Sequence, residues 1–250
     1  MLYTEHPQQP SAAINGVNGT AAGCNGTSQS DHSSSPSPTS SAATMSSNNS
    51  SICCVPPERR QHIWIITGPA GCGKTTVCKG LNRDLGLPFL EGDDFHSQSN
   101  KEKMGSGTPL TDADRWDWLV SLRDAALQTL TPSEENQFNP PAGVIMSCSA
   151  LKRKYRDVLR VAAYHMPSAR VHFIYLRSEE SVLVDRLTKR KAHYMSSNMV
   201  HSQLEALEDP SQEKDVITID VNVPPDEVQQ RVMDGINRIL AEEGSRQNHH

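Results

Sequence analysis

Short apolar runs of strand length alternate with helix-like segments along most of this chain. Five runs are mainly apolar, at residues 63–67, 88–91, 143–147, 171–176 and 216–220. Segments with helical periodicity lie between and after them, at residues 74–85, 111–127, 151–161, 178–190 and 225–240, and the polar stretch before residue 111 predicts a long loop. This alternation predicts an α/β fold of three layers, with a five-stranded, doubly wound parallel sheet and helices on both faces. Ligands of such folds bind where the strands end, at the carboxyl edge of the sheet.

The amino-terminal segment differs from the rest in composition. Residues 1–58 are mostly Ser, Asn, Thr, Gly, Pro and Ala, and before Glu58 their only charged side chains are Glu5 and Asp31. Because so little apolar area cannot offset the entropy cost of ordering, this segment is predicted to be a disordered tail. One compact domain is therefore expected over residues 59–245.

Composition disfavours several classes of function. The net charge of −5 argues against a nucleic-acid partner, because phosphate backbones select basic surfaces. Lys and Arg are absent before Arg59, so no secretory or mitochondrial leader is indicated, and no apolar run reaches the roughly 20 residues needed to cross a membrane. The six cysteines form no C-x-x-C pair, which argues against a zinc site or a disulfide framework. We expect a cytoplasmic protein without membrane contact, with Cys72, Cys78 and Cys148 as small buried hydrophobes.

A phosphate-binding loop lies between the first strand and the first helix. Residues 68–75 read Gly-Pro-Ala-Gly-Cys-Gly-Lys-Thr and match the pattern G-x-x-x-x-G-K-[ST]. The glycines let backbone N–H groups surround a phosphate, Lys74 can reach the β- and γ-phosphates, and Thr75 can ligate Mg²⁺. The guanine signature Asn-Lys-x-Asp is absent, since residues 100–103 end in Lys. The loop therefore predicts a nucleoside triphosphate, with ATP favoured.

Two adjacent carboxylates, Asp93 and Asp94, follow the second predicted strand. One of them can accept the proton of an acceptor hydroxyl and help to hold the water shell of Mg²⁺, although a helix-capping role is the alternative. Spacing does not decide which of the two acts. The third strand ends in Ser147 without an Asp, so the acid that holds the metal in many phosphate-loop enzymes is missing there. Asp93 becomes the predicted metal partner beside Thr75.

Basic side chains gather in three places. One group is Lys101, Lys103 and Arg115, another is Lys152, Arg153, Lys154 and Arg156, and the third is the basic helix end at residues 186–193. The first two groups could clamp an anionic acceptor, and the third could belong to a mobile lid, at about residues 186–200, that closes over the triphosphate. Solvated charged faces and ordinary helix-dipole partners are the alternatives.

Taken together, these motifs resemble those of a known family. They are the phosphate loop, Glu91-Gly-Asp-Asp-Phe-His96, residues 100–104, residues 107–115, Trp118-Leu119, and Cys148 through Arg156 with Leu159-Arg160. This set is similar to the small, phosphate-loop gluconokinases, whose fold resembles that of shikimate kinase, and the similarity covers about residues 63–240. It implies transfer of the γ-phosphoryl group of ATP to the 6-hydroxyl of D-gluconate, with Mg²⁺, giving 6-phosphogluconate and ADP. Gluconate would thereby enter the pentose phosphate pathway.

The resemblance also implies a role for individual residues. ATP would be bound by Gly68, Pro69, Ala70, Gly71, Cys72, Gly73, Lys74, Thr75, Thr76 and Arg186. Gluconate would be bound by Asp93, His96, Lys103, Arg115, Lys152, Tyr155 and Arg156. Lys74, Asp93 and Arg190 would be catalytic, and Thr75 and Asp93 would hold Mg²⁺.

The sequence is also compatible with two other functions. A kinase of the same fold could act on shikimate or on a nucleoside monophosphate. A protein of another class, an ATP-binding regulatory module, would bind the nucleotide without phosphorylating an acceptor. Oligomeric state, including a homodimer, stays open.

Overall fold

The part of the chain that the structure describes contains one sheet of five parallel strands. The computed structural model describes residues 60–189 and 197–247. The strands are β1 Gln61–Thr67, β2 Phe89–Glu91, β3 Gly143–Ser147, β4 Ala169–Arg177 and β5 Val216–Asp220. They lie in the order β2-β3-β1-β4-β5, with β1 at the centre between β3 and β4. The predicted parallel α/β sheet is confirmed, and the predicted tail at residues 1–58 lies outside the described residues.

Helices cover both faces of this sheet. They are α1 Lys74–Leu85, α2 Gln98–Gly105, α3 Asp112–Leu130, α4 Arg153–Arg160, α5 Ala162–His165, α6 Glu180–Lys189, α7 Ser197–Glu205 and α8 Pro225–Gln247. Buried side chains of α1, α6, α7 and α8 share one core with the sheet, whereas those of α3, α4 and α5 share the other. Alternate residues of β1 point to opposite faces, so Trp64 and Ile66 enter the first core, and Ile63 and Ile65 enter the second. The predicted three-layer arrangement is confirmed.

One segment predicted to be a loop is instead partly helical. Residues 98–105 form α2, which begins where the Ser97 hydroxyl accepts a hydrogen bond from the Asn100 N–H at 3.2 Å. The Asn100 side chain is buried and donates to the Asp114 carbonyl at 2.6 Å, which attaches α2 to α3. Polar contacts of this kind carry no hydrophobic periodicity, and the sequence pattern therefore missed the helix.

Three cysteines are placed as predicted. Cys72, Cys78 and Cys148 are buried thiols, and burial raises the pKa of Cys148 to about 12. Such thiols pack as small apolar groups and are unreactive. Among the described helices, none combines the length and the apolar composition needed to cross a membrane.

Two buried histidines on neighbouring strands form a cluster near the amino-terminal edge of the sheet. His62 Nδ1 and His172 Nε2 are 3.1 Å apart, and Trp64 stacks on both rings. The two imidazole centroids are 5.4 Å apart, as expected when the two nitrogens face each other in line through a hydrogen bond. Glu243 of α8 approaches His62 Nε2 at 3.9 Å, so the carboxy-terminal helix packs against this edge.

We expect the free energy of unfolding to fall as the pH drops below 6.5. Burial and the neighbouring His62 lower the pKa of His172 from 6.5 to about 4, with Arg170 acting in the same direction and Asp215 opposing it. The unfolded chain binds a proton in this range that the folded chain does not. The contribution of His172 to the free energy of unfolding should therefore be fully present above pH 6.5. It should fall by about 3 kcal/mol as the pH is lowered towards 4.

Urea titrations at several pH values measure this loss, and His172→Gln provides the comparison because glutamine does not titrate. The variant should show a shallower pH dependence than the wild type, whatever its absolute stability. Equal slopes in the two proteins would contradict the role of His172.

Candidate active site

The phosphate loop joins β1 to α1 and leaves an open anion site. Gly68 adopts φ +140°, and a Cβ there would lie 2.9 Å from both Cys72 Sγ and the Leu176 carbonyl oxygen, so only glycine fits. No side chain caps the N-terminus of α1, and its first turn contains no acid. The first N–H groups of the helix therefore point towards the loop, where they favour a phosphate. Lys74 Nζ lies over the loop and donates to the Gly68 and Pro69 carbonyls at 3.0 and 3.1 Å.

A carboxylate that the sequence reasoning missed lies beside Thr75. Glu91, the last residue of β2, accepts a hydrogen bond from Thr75 Oγ1 at 2.9 Å through Oε2. Its other oxygen, Oε1, accepts a hydrogen bond from Ser147 Oγ at the end of β3. A carboxylate from the end of β2 thus lies beside the end of β3, which has none of its own. The sequence places Glu91 at the end of a predicted strand, a position typical of site residues in this type of sheet. Only the order of the strands shows that Glu91 contacts Thr75 and Ser147.

Gly92 permits this arrangement of strand ends. Its N–H donates to Ser147 Oγ at 3.1 Å, and its carbonyl accepts from Trp118 Nε1 at 2.6 Å. A Cβ at this position would overlap the Ser147 carbonyl oxygen. A side chain at residue 92 would therefore push β2 away from β3 and displace the Glu91 carboxylate from Thr75.

A cavity of about 580 Å³ extends from the loop to the far wall formed by α2 and α3. Its lining includes the phosphate-loop residues Lys74 and Thr75, Glu91 at the strand end, and Asp93 in the 3₁₀ turn that follows. Asp94 is exposed and lies outside the lining. Of the two aspartates that the sequence left undecided, Asp93 is the one in the cavity lining.

His96 forms part of the far wall of this cavity. Its ring stacks on Trp118 with centroids 4.1 Å apart, the residue is 7% exposed, and its Nδ1 is buried without a hydrogen-bond partner among the described residues. Burial, together with the charges of Arg115 and Lys101, lowers the pKa of His96 to about 4. The imidazole is therefore neutral near pH 7 and can exchange hydrogen bonds with a hydroxyl group.

A second cavity, of about 630 Å³, adjoins the other side of the phosphate loop. It shares Gly71, Gly73 and Thr76 with the first cavity and continues to Arg186 of α6 and Pro225 of α8. Arg186 is held there by a hydrogen bond from Nη2 to the Val221 carbonyl at 2.6 Å. The loop therefore has one cavity on each side.

Comparisons with known proteins point to one family. Residues 63–213 match a family model described as an AAA domain. The chain is 42% identical over 183 residues to a protein from Schizosaccharomyces pombe named probable gluconokinase. The alignment covers 73% of this chain and 91% of that protein. It is 36% identical over 188 residues to the thermosensitive gluconokinase of Escherichia coli, covering 73% of this chain and 94% of that protein. The fold is also similar to the crystal structure of a gluconokinase from Sinorhizobium meliloti, with a TM-score of 0.64 and 37% sequence identity. The match covers 76% of this chain and 98% of the chain in that crystal structure.

The chain belongs to the gluconokinase family.

In this gluconokinase-family chain, α2 presents Lys101 to the cavity rather than Lys103. The two lysines are two positions apart on a helix, which places them on nearly opposite faces. Lys101 lines the cavity, whereas Lys103 is bound to Asp114 at 2.6 Å and is half-exposed. The position of Lys103 therefore does not support the predicted contact with gluconate.

The basic group on α4 is largely occupied by internal partners. Lys152 and Lys154 both bind Asp112, and the buried Tyr155 hydroxyl donates to the same carboxylate. None of these three residues lines the cavity, so their positions do not support a direct contact with gluconate. Tyr155 instead supports Arg115, whose guanidinium lies 5.5 Å from the tyrosine ring centroid and donates to its hydroxyl at 3.4 Å.

Arg156 is a structural residue in this family member. It is 1% exposed and donates through Nε and Nη2 to both carboxylate oxygens of Glu213, at 3.1 and 2.6 Å. Its remaining donors reach the Ala150, Leu151 and Glu208 carbonyls. All of its donors are used internally, so the position of Arg156 does not support the predicted contact with gluconate. Arg190 lies outside the described residues.

Proposed function

We propose that this chain transfers the γ-phosphoryl group of ATP to the 6-hydroxyl of D-gluconate, giving 6-phosphogluconate and ADP. The observation that carries the proposal is the first cavity, which joins the phosphate loop to a wall containing Asp93, His96 and Arg115. Family membership supports gluconate as the acceptor, since the curated relatives are named gluconokinases. The product would enter the pentose phosphate pathway.

The nucleotide would lie across the loop. The N–H groups at the start of α1 and the Lys74 ammonium bind the phosphates, because both supply positive charge to the same loop. The base and ribose occupy the second cavity, beside Arg186 and Pro225. This placement leaves the γ-phosphoryl group facing the first cavity.

The oxygens of Thr75 and Glu91 fit Mg²⁺. A hydroxyl and a carboxylate within 2.9 Å of each other are hard donors of the kind that this ion prefers. Thr75 would ligate the ion, and Glu91 would hold its water shell. When bound, Mg²⁺ neutralises charge on the β- and γ-phosphoryl oxygens.

The acceptor would be held by the opposite wall. Arg115 and Lys101 supply positive charge for the carboxylate of gluconate, and the neutral His96 exchanges hydrogen bonds with its hydroxyls. Asp93 accepts the proton of the 6-hydroxyl while the oxygen forms a bond to the γ-phosphorus. The bond between that phosphorus and the bridging oxygen breaks, and ADP leaves with the electron pair.

An acceptor panel tests the proposal. We expect ADP release with D-gluconate and ATP, and only background release with shikimate or a nucleoside monophosphate. A coupled ADP assay measures each, and phosphorus NMR of the product identifies 6-phosphogluconate. Turnover with another acceptor but not with gluconate would contradict the assignment, and ATP binding without any turnover would favour a regulatory module.

Glu91→Gln should raise the Mg²⁺ concentration needed for half-maximal activity by about 10- to 100-fold, as expected for a residue that orients the water shell of a metal. Glutamine keeps the size and one oxygen but loses the charge. Initial rates over a Mg²⁺ series at saturating ATP measure the shift. Thr129→Ala, near the carboxyl end of α3 and outside the cavity lining, is the control and should leave the half-saturating Mg²⁺ concentration unchanged. A Glu91→Gln variant with an unaltered Mg²⁺ requirement would remove Glu91 from the metal site.

A further inference from the structure

The phosphate loop has a partner far away in the chain. The Ala70 N–H donates to Gln203 Oε1 at 2.7 Å, and Gln203 belongs to α7, 133 positions later. A backbone N–H can face only the oxygen of a carboxamide, so this contact also fixes the orientation of the Gln203 amide. Nε2 is bonded to the same carbon as Oε1, so the two atoms are only about 2.3 Å apart. The two N–H groups of Nε2 are therefore also held at the phosphate loop.

The position of Gln203 selects one end of the triphosphate. Ala70 and Gln203 line the first cavity, where the acceptor wall lies, and neither lines the second cavity. The base would lie in the second cavity, so the amide lies at the end of the nucleotide from which the phosphoryl group leaves. On this placement, the Nε2 group faces the γ-phosphoryl end of the nucleotide.

The chain just after α7 is anchored independently of the nucleotide. The Glu208 carboxylate accepts the Arg153 N–H at 2.6 Å at the start of α4, and the Glu208 N–H donates to the Leu151 carbonyl at 2.9 Å. Arg156 Nη2 donates to the Glu208 carbonyl at 3.0 Å. Gln203 lies five residues before this anchor, which keeps α7 beside the loop.

We infer that Gln203 recognises the γ-phosphoryl group, with Oε1 holding the Ala70 N–H and Nε2 donating to a γ-phosphoryl oxygen of bound ATP. This inference rests on the proposed placement of ATP. A neutral amide adds donors beside Lys74 without adding charge, and its donors lose their partner once the γ-phosphoryl group has left. Gln203 therefore distinguishes ATP from ADP and positions the group that is transferred.

Gln203→Glu separates this role from a purely structural one. Glutamate can still accept the Ala70 N–H, but it has no donors and brings a negative charge to the γ-phosphate. We expect the affinity for the non-hydrolysable ATP analogue AMP-PNP to fall about 10- to 100-fold, and that for ADP to stay within about twofold. We expect kcat to fall by at least about tenfold. Calorimetric titrations with Mg²⁺ measure both affinities.

Gln230→Glu is the matched control, because it makes the same change on the exposed face of α8. It should leave both affinities unchanged. An equal loss of AMP-PNP and ADP affinity in Gln203→Glu, or no loss of either, would overturn the inference. If the wild type binds both nucleotides but does not phosphorylate gluconate, the proposed acceptor fails while the affinity ratio still decides the role of Gln203. If the wild type binds neither nucleotide, both proposals fail.

Discussion

Asp93→Asn should lower kcat for gluconate phosphorylation by about 10²- to 10⁴-fold, the range expected when a general base is removed. Asparagine fills the same space and can still hydrogen-bond the 6-hydroxyl, but it cannot take up the proton as the oxygen attacks. Asp93 is exposed in the cavity and lies in the turn just after β2, one residue beyond the close contact of Gly92 with β3. The turn is therefore fixed in place, and the substitution should change the chemistry rather than the fold. Initial rates at saturating gluconate and ATP measure the effect.

The adjacent aspartate gives a matched control. Asp94→Asn makes the same change one residue away and outside the cavity lining, so its kcat should stay within about twofold of the wild type. ADP affinity should be the same in both variants, because neither residue lies in the phosphate loop. A large loss in Asp94→Asn with normal turnover in Asp93→Asn would exchange their roles, and normal turnover in both would exclude a base in this turn.

The fold could be predicted because it is encoded locally. Each strand of the sheet is a short apolar run, and the alternation with helices fixes the parallel arrangement. The helix predicted from residue 111 begins with a capping box, in which the Thr111 and Asp114 side chains each bond the other's backbone N–H. Helix α2 was missed because the bonds of Ser97 and Asn100 that hold it are polar.

The sequence predicted the site only where all residues that form a binding feature lie within one contiguous motif. The phosphate loop is such a motif, since strand, loop and helix are contiguous. Glu91 meets Thr75 and Ser147 only because β2 lies beside β3, a strand order that the sequence pattern does not specify. Whether Lys101 or Lys103 enters the cavity depends on the rotation of a helix that was not predicted.

Charge compensation explains why the predicted cationic groups contribute unequally to the site. A cation that already forms an ion pair with an internal acid attracts an anionic acceptor less strongly than an unpaired cation does. Asp114 binds Lys103, and Asp112 binds both Lys152 and Lys154. Arg115 instead donates to the Leu110 carbonyl at 2.5 Å and to the Tyr155 hydroxyl, both uncharged partners. Arg115 also lines the cavity, so its charge is less compensated there than that of Lys103, in agreement with the proposed contact to the gluconate carboxylate.

Arg156→Met should lower the free energy of unfolding by about 3–5 kcal/mol, the cost of breaking a buried ion pair by removing one partner. Burial alone would raise the pKa of Glu213, but the hydrogen bonds from Arg156 and Arg160 outweigh it and hold that pKa below its ordinary value. Methionine removes one of these two partners and leaves the carbonyls that Arg156 served without a donor. Urea denaturation followed by circular dichroism measures the loss.

Arg153→Met is the control for charge and helix propensity, because Arg153 is exposed on the same helix. Its stability should stay within about 0.5 kcal/mol of the wild type.

A structural role and a gluconate-binding role for Arg156 lead to opposite results. If Arg156 holds the fold, stability falls and KM for gluconate is unchanged where the variant is still folded. If it binds gluconate, KM rises and stability changes little. The complete use of its donors by Glu213 and three carbonyls favours the first result, since an arginine without a remaining donor has nothing to offer a carboxylate.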